Sequence, residues 1–231
     1  MVTTVAVLVS SFFIYVGDYY HADQDAIEVF TAANNIKATQ KDDGALIFGA
    51  EDSEYGFIFY PGGKVEHTAY IPLMQSLAEN NVFCVLLKMP FNLAVFDISA
   101  ADGIKEQYPK IKNWYMGGHS LGGSMAASYL ENNHDSFEGL VLLASYSTAD
   151  LSKTDLKVLS VYGSEDKVLN IEKYEECKAK LPDDYSQMVI EGGCHAYFGF
   201  YGKQNGDGNP KISNLQQINQ TANAIIQFVK E

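Results

Sequence analysis

The chain has 231 residues, 47% of them hydrophobic, enough for one full-sized domain whose core needs no disulfides. A formal net charge of −13, with 16 lysines and no arginine, argues against a nucleic-acid partner, because phosphate binding depends on clustered cations. Cys84, Cys177 and Cys194 have neither metal-ligand spacing nor an even count, so no metal and no other cofactor is expected.

Residues 1–17 form a hydrophobic segment, uncharged from Val2 to Val16 and shorter than the ~20 residues that a membrane-spanning helix needs. No positive charge precedes it, as one would in a signal peptide. It reads as the remainder of an N-terminal anchor, with a buried helix or strand as the alternative. The corresponding expectation is an extracytoplasmic protein held at a membrane through its N-terminus, against a cytoplasmic one.

Residues 18–231 read as a single domain. Ala26, Ile27, Val29, Phe30 and Ala33 have helical spacing within residues 18–35. Three short strands, 36–40, 45–50 and 55–60, follow with turn-like acidic stretches between them and predict an antiparallel meander at one sheet edge. From there the rhythm is strand, loop, helix. Strands are expected at 82–88, 113–118, 139–145, 156–163 and 185–191, and helices at 68–80, 92–107, 121–132, 171–181 and 213–230. The sum is an α/β fold with about eight strands, mostly parallel and covered by helices on both faces.

The stretch Gly118-His119-Ser120-Leu121-Gly122 stands at the corner between the strand 113–118 and the helix 121–132. It fits Gly-x-Ser-x-Gly, the nucleophile elbow, in which small neighbours let the backbone turn sharply and expose the serine hydroxyl. An attacking serine needs a base, an orienting acid and donors for an oxyanion. The strand 156–163 ends in Ser164-Glu165-Asp166 and the strand 185–191 in Gly192-Gly193-Cys194-His195, loops that a parallel sheet places on the serine's edge. The order Ser120, Asp166, His195 is the one the elbow motif expects. Glu165 is the rival acid, and Cys194 a weaker rival nucleophile. His119 is read as packing or substrate contact, His67 as bordering the pocket, and His21 and His134 as structural.

Oxyanion donors are expected from the N–H of Leu121 and, in the Pro61-Gly62-Gly63-Lys64 loop, from that of Gly63 or Lys64. Residues 202–210, with Gln204-Asn205-Gly206-Asp207-Gly208, have the look of a calcium loop without its full ligand spacing, and read as an exposed turn near the pocket.

Together with Phe57-Ile58-Phe59-Tyr60-Pro61-Gly62-Gly63-Lys64-Val65, Lys88-Met89-Pro90-Phe91-Asn92-Leu93-Ala94 and Gly192-Gly193-Cys194-His195-Ala196-Tyr197-Phe198-Gly199, these loops make residues 36–230 resemble the α/β-hydrolase superfamily. The likeness is nearest to small bacterial members of the dienelactone-hydrolase-like group. It implies the α/β-hydrolase fold, with Ser120 as nucleophile, Asp166 as acid and His195 as base. Pro61-Gly62-Gly63 stands where many relatives carry a His-Gly pair. Ser120 replaces the cysteine of dienelactone hydrolases proper, so their substrate does not carry over. Only residues 146–155 separate the sixth and seventh strands, which leaves no room for a cap domain. The expected activity is cleavage of a carboxylic ester or a related small acyl substrate through an acyl-enzyme. The alternatives are a non-enzymatic binding protein of the same fold, or an acyltransferase or amidase using the same triad.

Overall fold

The computed structural model describes residues 2–231; Met1, the first residue of the predicted hydrophobic segment, lies outside them. Helix α1, Val2–Gly17, precedes the domain. It touches the rest through Phe12, whose ring meets those of Phe91 and Phe96 edge-on at 5.3 and 5.9 Å, and through buried Val16. Val7, Val9, Phe13, Ile14 and Tyr15 are exposed. No described helix is long and apolar enough to cross a membrane.

The eight strands are β1 (Thr39–Gln40), β2 (Leu46–Phe48), β3 (Tyr55–Tyr60), β4 (Val82–Leu86), β5 (Asn113–His119), β6 (Gly139–Leu143), β7 (Lys157–Gly163) and β8 (Tyr185–Ile190). They form one sheet in the order β1-β2-β4-β3-β5-β6-β7-β8. From β4 to β8 every pairing is parallel, while β2 runs antiparallel to both β1 and β4. The predicted meander is therefore corrected. β1 and β2 pair as expected, but β3 inserts between β4 and β5, so β2 meets β4 rather than its neighbour in sequence.

Side chains alternate across the sheet and build a core on each face. Phe57 and Phe59 pack with Leu73, Met74 and Leu77 of α3 (Ile71–Ala78), with Ile27 of α2 (Gln24–Ala32), and with Ile218, Ala222 and Ile225 of α7 (Asn214–Lys230). Ile58, Phe83, Trp114 and Met116 pack with Ile104 of α4 (Ile104–Gln107) and with Ala126, Ala127 and Leu130 of α5 (Leu121–Leu130). On that second face Tyr174 of α6 (Ile171–Cys177) bonds Ser160 of β7 at 2.9 Å.

Two predicted helices are much shorter than their apolar spacing suggested. The helix expected at 18–35 begins only at Gln24, because the Tyr20 backbone bridges to the loop after β3: its N–H donates to Lys64 O at 2.7 Å and its carbonyl accepts from Glu66 N–H at 2.9 Å. Asp23 then caps α2. The helix expected at 92–107 is reduced to α4 and two 3₁₀ turns. Phe91 and Asn92 have φ of 54° and 56°, and the Tyr60 hydroxyl, which donates to Ile98 O and accepts from Ala101 N–H, pins the backbone between.

Register aligns the carboxyl ends of the central strands, with Tyr60 opposite Gly118, His119 opposite Leu143, Leu143 opposite Val161 and Gly163 opposite Ile190. The loops that follow these residues open on one edge of the sheet. No cap domain interrupts the chain between β6 and β7.

Candidate active site

Ser120 sits between β5 and α5 with φ 51° and ψ −122°, a conformation that costs an L-residue of order 1–3 kcal/mol and persists only when its surroundings enforce it. They do so here. The Ser120 N–H donates to Leu143 O at 2.9 Å, and its carbonyl accepts from Ser145 Oγ at 2.7 Å. A Cβ at Gly118 would lie 2.5 Å from Gly123 N, and one at Gly122 would overlap the carbonyls of Tyr60 and Pro61. Both positions need glycine for the helix to start this close to the strand ends.

Asp166 follows β7 and His195 follows β8. Their side chains are each 2% exposed and meet through His195 Nδ1 and Asp166 Oδ2 at 2.8 Å. The other oxygen, Asp166 Oδ1, accepts the N–H groups of Val168 and Leu169 at 2.8 Å each. With the carboxylate accepting, Nδ1 donates, which leaves the lone pair on Nε2. Nε2 is buried and has no hydrogen-bond partner among the described residues. His195 and Ser120 line the same cavity of about 260 Å³, walled also by Leu121, Tyr146, Val168 and Leu169. An imidazole so oriented can take a proton from a group that enters this space.

The chain matches the model of the alpha/beta hydrolase family over residues 56–219. The chain is an α/β hydrolase. Among solved structures it is similar to the dienelactone hydrolase of Anabaena variabilis, at 11% identity and a TM-score of 0.64 over 84% of this chain and 99% of that one. It is also similar to the monoacylglycerol lipase of Paleococcus ferrophilus (14% identity, TM-score 0.61, 84% and 98% covered) and to the Pyrobaculum calidifontis esterase (16%, 0.60, 88% and 90%). At such identities the likeness is one of fold. Comparison with curated proteins gave no match.

In this hydrolase the Pro61-Gly62-Gly63-Lys64 loop lies against the start of α5, where a Cβ at Gly63 would come within 2.8 Å of Leu121 Cδ2. The N–H groups of Gly63 and Leu121 donate to no acceptor among the described residues. Lys64, the other donor expected from this loop, has φ 58° and spends its N–H on Asn92 O at 2.7 Å, which leaves Gly63. Glu165 turns outward to Lys211 Nζ at 2.6 Å and is not the acid partner of His195. Burial, then the nearby Asp207, push the Cys194 thiol up to about 12, so it holds no thiolate at neutral pH.

His67 does not border this cavity; its Nε2 faces Gly44 O at 3.2 Å, among buried side chains. His119 is packed as expected, its ring against that of His195 with centroids 4.6 Å apart. Three residues not singled out for the site in the sequence support it. Tyr70 Oη accepts the Gly62 N–H at 3.0 Å and meets His119 Nδ1 at 2.8 Å. The buried Gln217 of α7 holds both sides of the Cys194 backbone, accepting its N–H at 2.9 Å and donating to its carbonyl at 2.8 Å. Asp207 bonds the backbone of His195 and Ala196. Gln217 and Tyr70 carried no local signal, whereas Asp207 stood in a turn already conspicuous for its two glycines.

Proposed function

We propose that this α/β hydrolase cleaves a carboxylic ester of a small acyl group through an acyl-enzyme. Ser120 Oγ attacks the carbonyl carbon as His195 Nε2 takes its proton, and Asp166 holds the imidazole through Nδ1–H. The N–H groups of Gly63 and Leu121 receive the oxyanion, His195 returns the proton to the leaving alcohol, and water then releases the acid by the same route. The observation that carries the reading is the buried Asp166–His195 pair, whose Nε2 has no partner among the described residues, in a histidine that lines the same cavity as Ser120. A cavity of about 260 Å³ suits a short acyl group.

The test is labelling by a fluorophosphonate probe together with p-nitrophenyl acetate turnover, in the parent and in Ser120→Ala. Labelling and turnover in the parent, both lost in the variant, are expected. A parent that neither labels nor turns over would favour a binding protein of the same fold, and labelling that survives Ser120→Ala would place the nucleophile elsewhere. Hydroxylamine or an alcohol added as competing acceptor separates hydrolysis from acyl transfer.

A further inference from the structure

We infer that Asp207 is a positioning residue that holds the backbone of His195 in register with the Asp166 loop, an inference that rests on the serine-hydrolase reading of the site. Asp207 lies in the turn that resembles a calcium loop, yet its carboxylate is taken up by backbone. Oδ1 accepts the N–H of His195 at 3.2 Å and of Gly208 at 2.8 Å, with the N–H of Lys167 at 3.4 Å, and Oδ2 accepts that of Ala196 at 2.9 Å. An aspartate that only shapes a turn bonds donors two or three residues away. Here three of the four donors are 11, 12 and 40 residues distant in sequence.

Those three flank the Asp166–His195 bond on both sides. Lys167 is the residue after the acid, His195 is the base, and Ala196 follows the base. One carboxylate thus bonds both of the loops that must meet, on either side of the Asp166–His195 contact. Packing supports the same contact, since Gly208 lies so close to the Glu165 carbonyl that a Cβ there would overlap it. The two loops are also joined ahead of the base, where the Glu165 N–H donates to Gly193 O at 2.8 Å and the Gly192 N–H to Ser164 Oγ at 2.9 Å, but these bonds stop short of His195. His195 follows Gly192-Gly193 and leads only into the short 3₁₀ turn Ala196–Phe198. Gln217 secures Cys194, and Asp207 secures the two residues beyond it.

The experiment compares the parent with Asp207→Ala and Asp207→Asn, reading kcat and KM on p-nitrophenyl acetate and the low-field proton resonance of His195 Nδ1–H. Because a misplacement of about 1 Å costs on the order of a hundredfold, kcat of Asp207→Ala is expected to fall by about that factor while KM stays within about threefold. Its Nδ1–H resonance should broaden by exchange. Asp207→Asn keeps one carbonyl acceptor but turns an amide N–H₂ towards a backbone donor, and should fall between. A folded Asp207→Ala protein that keeps either the parent's kcat or an unbroadened resonance overturns the inference. If that variant does not fold, Asp207→Asn decides by the same two readouts. A parent without esterase activity removes the hydrolase reading, and the resonance alone then decides whether Asp207 holds His195 against Asp166.

Discussion

His119, next to Ser120 in sequence, is tied through Tyr70 to Gly62 in the loop after β3. The Tyr70 hydroxyl already accepts the Gly62 N–H, so its proton goes to His119 Nδ1 and the histidine carries its own proton on Nε2. Burial, reinforced by the neighbouring His195, holds His119 well below the usual histidine range. The ordinary value is about 6.5, and below it the unfolded chain binds a proton that the folded protein refuses, so stability falls as pH drops from there towards the folded-state value. The slope is about 1.4 kcal/mol per pH unit for one proton. His67, lowered first by burial and then by Lys88, adds to it in the same direction. His119→Asn, whose side-chain carbonyl replaces the Nδ1 acceptor, is expected to flatten the decline of Tm measured between about pH 6.5 and pH 5. An unchanged slope would mean that His119 titrates normally.

At the scale of elements, the C-terminal helix α7 is the best specified by its own sequence. Ser213 Oγ accepts the Gln216 N–H at 3.2 Å while the Gln216 side chain accepts the Ser213 N–H at 2.8 Å, a complete capping box. Ser213→Ala should cost about 0.5–2 kcal/mol, read as a lower urea midpoint with an unchanged m-value. Such local chemistry explains what was legible. The elbow at Ser120 and the loop ends at Asp166 and His195 follow from patterns within a few residues of each strand. The place of β2 beside β4, and the breakdown of the helix expected over 92–107, do not. The first depends on β3 entering between β4 and β5, and the second on the Tyr60 hydroxyl reaching Ile98 and Ala101 from a distant strand. Tyr70 and Gln217 reach the site through contacts that no neighbouring residue announces, whereas the turn of Asp207 was visible but its long-range partners were not.

For the molecule as a whole, parallel strands in register gather the loops after β3, β5, β7 and β8 on one edge, where the cavity lined by Ser120 and His195 holds about 260 Å³. p-Nitrophenyl acetate and butyrate should therefore be preferred over the decanoate by on the order of tenfold in kcat/KM, and a preference for the long chain would show that the acyl group lies outside the cavity. The grip of Gln217 on Cys194 couples the loop after β8 to the C-terminal helix. The side chain that secures Cys194, the neighbour of His195, lies 23 residues further along the chain, inside α7. If α7 separates from the sheet, Cys194 loses both of these bonds, so the loop that carries His195 slackens together with the helix.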